Sequence, residues 1–229
     1  MSEVIAQELA VVLAAHQIEL PPKQQVRLAR YCALLWDWNT KLNLTRHTDC
    51  EKFVSRDIVD TLAFSQFLGE KEHVLDVGTG GGVPGVILTI LRRDLKVTLC
   101  DSTGKKARVV ADMVEKLGLP VPVLAERAEA VVARRRFNTL LVRAVAPLAQ
   151  LLTWFQPKWD RFDRLLVLKG PAWVEERGEA RHRGLMHGLA LRKLHSYPLP
   201  STHSESVLLQ ICPEDRMLDD KSCRIRPLR

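Results

Sequence analysis

A glycine-rich segment that directly follows an apolar run limits the folds open to this chain: Val74-Leu75-Asp76-Val77-Gly78-Thr79-Gly80-Gly81-Gly82-Val83-Pro84-Gly85. Glycine permits positive φ and lacks the Cβ that would keep a ligand away from the backbone. Pro84 suits the first turn of a helix, where its missing N–H is not needed. We therefore expect a buried strand, a loop that binds a ligand through its backbone, and a helix.

After Gly69, short apolar runs alternate with longer amphipathic ones, which is the pattern of parallel strands joined by crossover helices. The predicted strands are residues 73–77, 96–100, 121–124, 139–142 and 165–168. The predicted helices are residues 84–91, 104–117, 127–135, 148–155 and 172–185. Two more strands, 191–200 and 206–212, are expected to pair as an antiparallel hairpin at the sheet edge. The pattern predicts a doubly wound α/β domain.

The regions on either side of this domain differ from it in pattern. Residues 1–69 are predicted to form a helical cap, with helices that start near Ser2 and at Pro21-Pro22 and a third over about residues 49–67. Residues 70–213 make up the α/β domain. Residues 214–229 have no apolar period and are predicted to be a flexible basic tail, with cations at Lys221, Arg224, Arg226 and Arg229.

The composition narrows the class of protein. Hydrophobic residues make up 46% and charged residues 27%, which excludes a disordered chain. The formal net charge of +7 favours a polyanionic partner, because cations that neutralise phosphates release counterions; a basic solvated surface is the alternative. The five cysteines form no C-x-x-C pair, so we expect no metal site and no disulfide framework. We also expect no membrane segment, and therefore a cytoplasmic location.

The glycine segment is compatible with two classes of cofactor. Gly80, Gly82 and Gly85 match the G-x-G-x-x-G pattern of dinucleotide-binding proteins. Asp76, however, completes the D-x-G-x-G-x-G loop of methyltransferases. A carboxylate there would repel a pyrophosphate but attract the cationic methionine end of S-adenosylmethionine. We therefore predict S-adenosylmethionine as the cofactor.

Three acidic residues are predicted to surround this cofactor: Asp76, Asp101 and Glu129. Asp101 ends the second predicted strand, where a carboxylate accepts hydrogen bonds from both ribose hydroxyls. Ala128-Glu129 follow the third predicted strand, the position beside the adenine in methyltransferases. Each acid by itself could be a helix cap or a surface residue. Together they favour a cofactor site, because all three fall at strand ends.

The sequence disfavours two kinds of methyl transfer and permits a third. It has no N-P-P-Y or D-P-P-Y turn for methylation of an exocyclic amine and no Pro-Cys pair for methylation of a pyrimidine carbon. A ring nitrogen such as guanine N7 needs no deprotonation, so a site without a general base suits it, and we assign no catalytic residue. At the end of the fourth predicted strand, Arg143 could bind a phosphate or the guanine O6 edge, or form a salt bridge.

Motifs over most of the chain resemble the RsmG family, also called glucose-inhibited division protein B. The glycine segment resembles the family loop D-V-G-T-G-x-G-x-P-G. The other matching runs are Trp38-Asn39-Thr40-Lys41-Leu42-Asn43-Leu44-Thr45, Asp60-Thr61-Leu62, Asp101-Ser102-Thr103-Gly104-Lys105-Lys106, Arg127-Ala128-Glu129, Arg143-Ala144 and Leu168-Lys169-Gly170. The chain departs from the family pattern at Asp57, Thr61, Lys106 and Ser206.

The resemblance implies a Rossmann-like methyltransferase fold, with a seven-stranded, mostly parallel sheet and an N-terminal helical cap. It implies N7 methylation of a guanine in 16S rRNA, on the RNA or the small ribosomal subunit. We separately expect the chain to act as a monomer. The predicted cofactor-binding residues are Asp76, Gly78, Gly80, Gly82, Val83, Asp101, Ala128, Glu129 and Arg143. The predicted RNA-contacting residues are Asn39, Asn43, Arg56, Lys105, Lys106, Arg143 and Lys169.

Two other functional classes remain open from the sequence. The chain could methylate another RNA or a small molecule with the same cofactor. It could instead be a dinucleotide-dependent oxidoreductase or a non-catalytic RNA-binding module. Binding of S-adenosylmethionine as opposed to NAD distinguishes these classes, because a ligand that binds only the native state raises its melting temperature.

Overall fold

A computed structural model describes residues 2–199 and 204–217. Its seven strands form one sheet in the order β3-β2-β1-β4-β5-β7-β6. The strands are β1 His73–Val77, β2 Lys96–Cys100, β3 Val123–Leu124, β4 Phe137–Arg143, β5 Phe162–Lys169, β6 Leu189–Pro198 and β7 Glu205–Pro213. β1 to β5 pair in parallel, while β7 is antiparallel to both β5 and β6. The predicted seven-stranded, mostly parallel sheet is confirmed.

The helices occupy the expected connections. They are α1 Ser2–Ala15, α2 Pro22–Asn39, α3 Cys50–Lys52, α4 Val59–Ser65, α5 Gly85–Leu91, α6 Gly104–Lys116, α7 Ala128–Arg134, α8 Leu148–Phe155 and α9 Trp173–His182. A π-helix, Phe53–Ile58, joins α3 to α4, whereas the sequence predicted one regular helix over residues 49–67. The widened turn follows from packing, since most of its side chains are buried.

Several predicted bounds differ from the observed ones, and two of these differences have local causes. β3 begins at Val123, not at residue 121, because Pro122 has no N–H to donate to a sheet ladder. α9 ends at His182, not at residue 185, because the chain turns at Gly184, which has a φ of +69°. The predicted bend at residues 198–204 and the predicted basic tail fall largely outside the described residues.

The helices cover both faces of the sheet, each with its own buried core. On one face α1, α2 and α4 of the cap share a core with α5 and α6, and Leu28, Leu35, Val86 and Val110 are among its members. On the other face α7, α8 and α9 pack together with the sheet. The cap is therefore held against the α/β layer by a continuous apolar core, which places parts of the cap beside the carboxyl edge of the sheet.

The strand order creates a crevice at the carboxyl edge of the sheet. β1 lies between β2 and β4, and the chain connections run in opposite directions from that point. In open α/β sheets, ligands bind at such a switch point, beyond the carboxyl ends of the strands. The glycine loop follows β1 at this edge, Asp101 follows β2, and Arg143 ends β4.

Candidate active site

A cavity of about 580 Å³ lies at this carboxyl edge. Its walls come from the glycine loop, the ends of β4 and β5, the π-helix and the segment that precedes α3. Charged and polar lining residues include Arg46, His47, Arg56, Asp57, Asp60, Thr79, Asp101, Lys106, Arg143, Lys169 and Ser206. The size is that of a small-molecule or cofactor site.

The glycine loop forms one wall of this cavity, and a side chain of the cap holds it in place. Gly78 and Gly80 line the cavity with φ values of +66° and +58°, a backbone conformation that favours glycine. A Cβ built at Gly80 meets no protein atom closer than 3.9 Å, so the space beside this residue is open. The buried Tyr31 hydroxyl of α2 donates to the Gly81 carbonyl over 2.8 Å. The cap thus fixes the loop that the sequence predicted to bind a ligand.

Asp76 lies behind this loop and does not line the cavity. Its carboxylate, 1% exposed, accepts hydrogen bonds through Oδ2 from the Thr79 hydroxyl at 2.6 Å and the Gly85 backbone N–H at 3.0 Å. Burial raises the pKa of the Asp76 carboxyl to about 6, and these two hydrogen bonds oppose the rise. Asp76 therefore joins the loop to the start of α5, and its direct contact with a cofactor stays a prediction.

Asp76 should make the stability of the protein depend on pH. Its folded-state pKa lies above its ordinary value of 3.8, so the folded state binds the proton more tightly and stability falls as pH rises from about 4 to about 6. In Asp76→Asn the amide oxygen still accepts from Thr79 and Gly85 but carries no charge. We expect this variant to gain on the order of 2–3 kcal/mol relative to wild type between about pH 4 and pH 7.

Urea unfolding of the two ligand-free proteins across this pH range measures the gain. All other titratable groups are common to both proteins, so their contributions cancel in the difference. A difference in the free energy of unfolding that stays constant from about pH 4 to pH 7 contradicts the raised pKa of Asp76.

Asp101 lies in the cavity directly after β2. Its side chain is 7% exposed; Oδ2 accepts from the Gly80 backbone N–H at 2.9 Å and Oδ1 from the Thr103 N–H at 2.7 Å. Each carboxylate oxygen has a further lone pair for a ligand. Asp101 is thus positioned to accept two hydroxyl hydrogen bonds while it holds the glycine loop beside them.

The structure divides the predicted cofactor residues into two groups. The cavity is lined by Gly78, Gly80, Val83, Asp101 and Arg143, and not by Asp76, Gly82, Ala128 and Glu129. Gly82 faces the protein, because a Cβ there would lie 2.7 Å from Cγ2 of Val86 and 3.0 Å from the Tyr31 hydroxyl. Ala128 is buried at the start of α7, and Glu129 lies 3.7 Å from the Arg127 guanidinium.

Arg143 is the centre of a buried ionic network. Its Nη2 donates to Oδ1 of Asp57 at 2.6 Å and its Nε to Oδ2 of Asp60 at 2.7 Å. His47 Nδ1 lies 2.8 Å from the same oxygen of Asp57, and the Tyr197 hydroxyl donates to Asp60. Of the two roles open to Arg143, the structure shows the salt bridge. Its contact with a cofactor or an RNA stays a prediction.

The predicted RNA-contacting residues also divide. Arg56, Lys106, Arg143 and Lys169 line the cavity, whereas Asn39, Asn43 and Lys105 do not. Oδ1 of Asn39 accepts from the backbone N–H groups of Leu44 and Thr45, at 2.8 and 2.9 Å, and so holds the loop before α3. Nζ of Lys169 donates to the Ala146 carbonyl and pairs with Glu176, each at 2.7 Å. Asn39 and Lys169 are therefore engaged within the protein.

Sequence reasoning missed several residues of the cap that line this site: Arg46, His47, Asp57 and Asp60. Asp60 was named only within a family motif and Asp57 only as a departure from it, although two acids three positions apart beside apolar residues indicate a buried cation partner. Within the described ranges, Arg46, Arg56 and Lys106 pair with no carboxylate, and Nε of Arg56 is buried without a hydrogen-bond partner. The mouth of the cavity is therefore positively charged.

The family model and the related sequences that match this chain carry the same name. The family whose sequence model matches residues 24–204 is GidB, described as rRNA small subunit methyltransferase G. The ribosomal RNA small subunit methyltransferase G of Rhodopirellula baltica is 46% identical over 198 residues, which cover 86% of each chain. The protein of the same name from Marinobacter nauticus is 34% identical over 205 residues, 89% of this chain and 93% of its own.

Solved structures support the fold. A precorrin-6y C5,15-methyltransferase from Geobacter metallireducens matches 76% of this chain and 91% of its own with a TM-score of 0.52 and 11% identity. A dimethyladenosine transferase from Plasmodium falciparum matches 73% and 65% with a TM-score of 0.51 and 15% identity. Among residues 2–199 and 204–217, no helix has the length and apolar character needed to cross a membrane.

Proposed function

Because this chain belongs to the rRNA small subunit methyltransferase G family, also called GidB, we propose that it transfers a methyl group from S-adenosylmethionine to N7 of a guanine in 16S rRNA. The resemblance to this family that its motifs indicated is confirmed. One observation supports the proposal most: the Asp101 carboxylate lies in the cavity at the switch point, bonded to the glycine loop.

The residues of the cavity fit S-adenosylmethionine. Asp101 can accept hydrogen bonds from both ribose hydroxyls, and the open space beside Gly80 permits close approach of the nucleoside. The negative charge of Asp101 in this wall suits a sulfonium cation, which supplies an electrophilic methyl group when bound. We expect the remaining loop residues, including Val83, to shield the reacting atoms from water.

The start of α5 argues against a dinucleotide. In dinucleotide-binding proteins the pyrophosphate lies on the N–H groups at the start of the helix that follows the glycine loop. Here the Gly85 N–H at that position already donates to the Asp76 carboxylate over 3.0 Å. A pyrophosphate would have to displace this buried carboxylate, so the oxidoreductase alternative is disfavoured.

The cationic mouth of the cavity suits RNA. Arg46, Arg56 and Lys106 can bind phosphates beside a base that enters the site. Guanine N7 offers a free lone pair, so these residues need only position the base in line with the methyl group, and no proton has to be removed first. We further propose that the chain acts as a monomer in the cytoplasm, where small ribosomal subunits are found.

Transfer of tritiated methyl groups tests the proposal. Small ribosomal subunits from a bacterial strain that lacks the corresponding methyltransferase are incubated with the protein and labelled S-adenosylmethionine, and the modified base is mapped. We expect label on N7 of one guanine of 16S rRNA, and none with large subunits. Label on an exocyclic amine or on 23S rRNA, or binding of NAD without binding of S-adenosylmethionine, contradicts the proposal.

A further inference from the structure

A second cavity, of about 460 Å³, lies at the opposite, amino-terminal edge of the sheet. The first residues of β1, β2 and β4 line it, together with α2 and the turn that follows α6. Its floor is apolar and includes Leu95, Val97, Leu119, Val121 and Phe137. Its cationic side chains are Arg27, Arg93 and Lys96, and His73 adds an imidazole. None of the described lining residues is acidic.

The positive charge of this cavity is not compensated within the described residues, where Arg27, Arg93 and Lys96 form no ion pair. Two acids near this edge are held by other arginines. Asp94 forms a two-point pair with Arg92, with both N–O distances at 2.8 Å. Glu72 pairs with Arg164 at 3.0 Å. Three cations around an apolar floor therefore remain for an external anion.

The second cavity lies close to the first on the scale of an RNA. β2 begins with Lys96 in the second cavity and is followed by Asp101 in the first, a span of about 16 Å at the usual rise of a strand. α6 runs between the two cavities, and its exposed side carries Lys105, Arg108 and Lys116. Two acids share this side of α6, so the cations outnumber them: Asp112 is paired with Lys116 at 2.8 Å, and Glu115 is exposed.

We propose that the second cavity binds one nucleotide of the substrate RNA, with its phosphate at Arg93, Lys96 and Arg27 and its base or ribose against the apolar floor. The inference rests on the proposed function only in taking RNA as the substrate. The cavity volume suits a nucleotide, and the cations along α6 continue the positive surface from the methylation site. The RNA is thus held at two points, one at each edge of the sheet.

The variant Arg93→Glu/Lys96→Glu tests this inference without disturbing the core, because both side chains are exposed and form no ion pair in the described residues. The charge-matched control is Arg181→Glu/Arg183→Glu, at the end of α9 and on the other face of the sheet. Methyl transfer to small subunits and filter binding of a 16S rRNA transcript are measured over a range of salt concentrations. Binding of S-adenosylhomocysteine is measured by calorimetry.

We expect the KM for small subunits and the Kd for the transcript to rise about ten-fold in Arg93→Glu/Lys96→Glu. The slope of log Kd against log salt should fall by about 0.7 for each RNA phosphate that the variant no longer neutralises. The kcat at saturation, the affinity for S-adenosylhomocysteine and the melting temperature should equal those of wild type. The control should keep the wild-type KM and salt dependence.

Several results overturn the inference: unchanged KM and transcript binding in Arg93→Glu/Lys96→Glu, an equal loss in the control, or a lower affinity for S-adenosylhomocysteine. Calorimetry with AMP gives a further test. If wild type binds AMP, the variant does not, and the RNA affinity of the variant equals that of wild type, the cavity is a free-nucleotide site and the inference is wrong. If wild type transfers no methyl group, the proposed function fails and transcript binding alone decides the inference.

Discussion

Replacing Asp101 by alanine is expected to lower the affinity for S-adenosylmethionine by a factor of about 100 or more. Two hydrogen bonds from ribose hydroxyls to a carboxylate are together worth at least about 3 kcal/mol. The substitution also removes the acceptor for the Gly80 and Thr103 N–H groups, which loosens the loop that forms the cavity wall. Isothermal titration calorimetry with S-adenosylmethionine measures the loss directly.

A matched control separates this effect from the loss of a negative charge. Asp160→Ala removes a carboxylate that is exposed and does not line the cavity, so it should bind the cofactor as wild type does. The melting temperature of Asp101→Ala shows whether the fold is kept. An affinity near that of wild type in a folded Asp101→Ala protein excludes Asp101 as the ribose ligand and removes the main support for the proposed cofactor.

Replacing Arg143 by leucine is expected to lower the free energy of unfolding by about 3–5 kcal/mol, because it leaves two buried carboxylates without their cation. Asp57 and Asp60 are 1% and 2% exposed, and Arg143 donates to both. Oδ2 of Asp57 already lacks a hydrogen-bond partner among the described residues. Urea unfolding near neutral pH, with an unchanged m-value, measures the loss.

The triple variant Arg143→Leu/Asp57→Asn/Asp60→Asn provides the control. It removes the carboxylate charges together with the guanidinium, so we expect it to recover most of the stability lost in Arg143→Leu. The amide oxygen introduced by Asp60→Asn can still accept from the Tyr197 hydroxyl. A loss below about 1 kcal/mol in Arg143→Leu, or no recovery in the triple variant, is incompatible with a network held by buried charge.

Local sequence signals predicted the part of the site that is local in the chain. The glycine loop and Asp101 both lie at ends of short apolar runs, and strands β1 and β2 were placed with the correct bounds. Their periodicity and glycine content are set by the residues themselves. The carboxyl ends of parallel strands lie at one edge of a sheet, so the sequence also predicted that the glycine loop and the Asp101 carboxylate lie near each other.

The same reasoning could not separate a residue that lines the site from one that supports it. Asp76 and Asp101 look equivalent in the sequence, each at the end of an apolar strand. In the structure Asp76 is turned toward α5 and Asp101 toward the cavity. The direction of each side chain depends on the register of neighbouring strands and on helix packing, which no local pattern encodes.

Local patterns were sufficient to predict the order of strands and helices along the chain, the glycine loop and the class of cofactor that its carboxylates favour. The pairings of Arg143 with Asp57, across 86 positions of the chain, and of Asp60 with Tyr197, across 137, became visible only in the folded chain. Hydrophobic periodicity depends on neighbours within one or two turns and can be read locally. The partner of a buried cation depends on how distant elements pack. Several carboxylates of the chain could pair with it, and the fold brings only some of them within hydrogen-bonding distance.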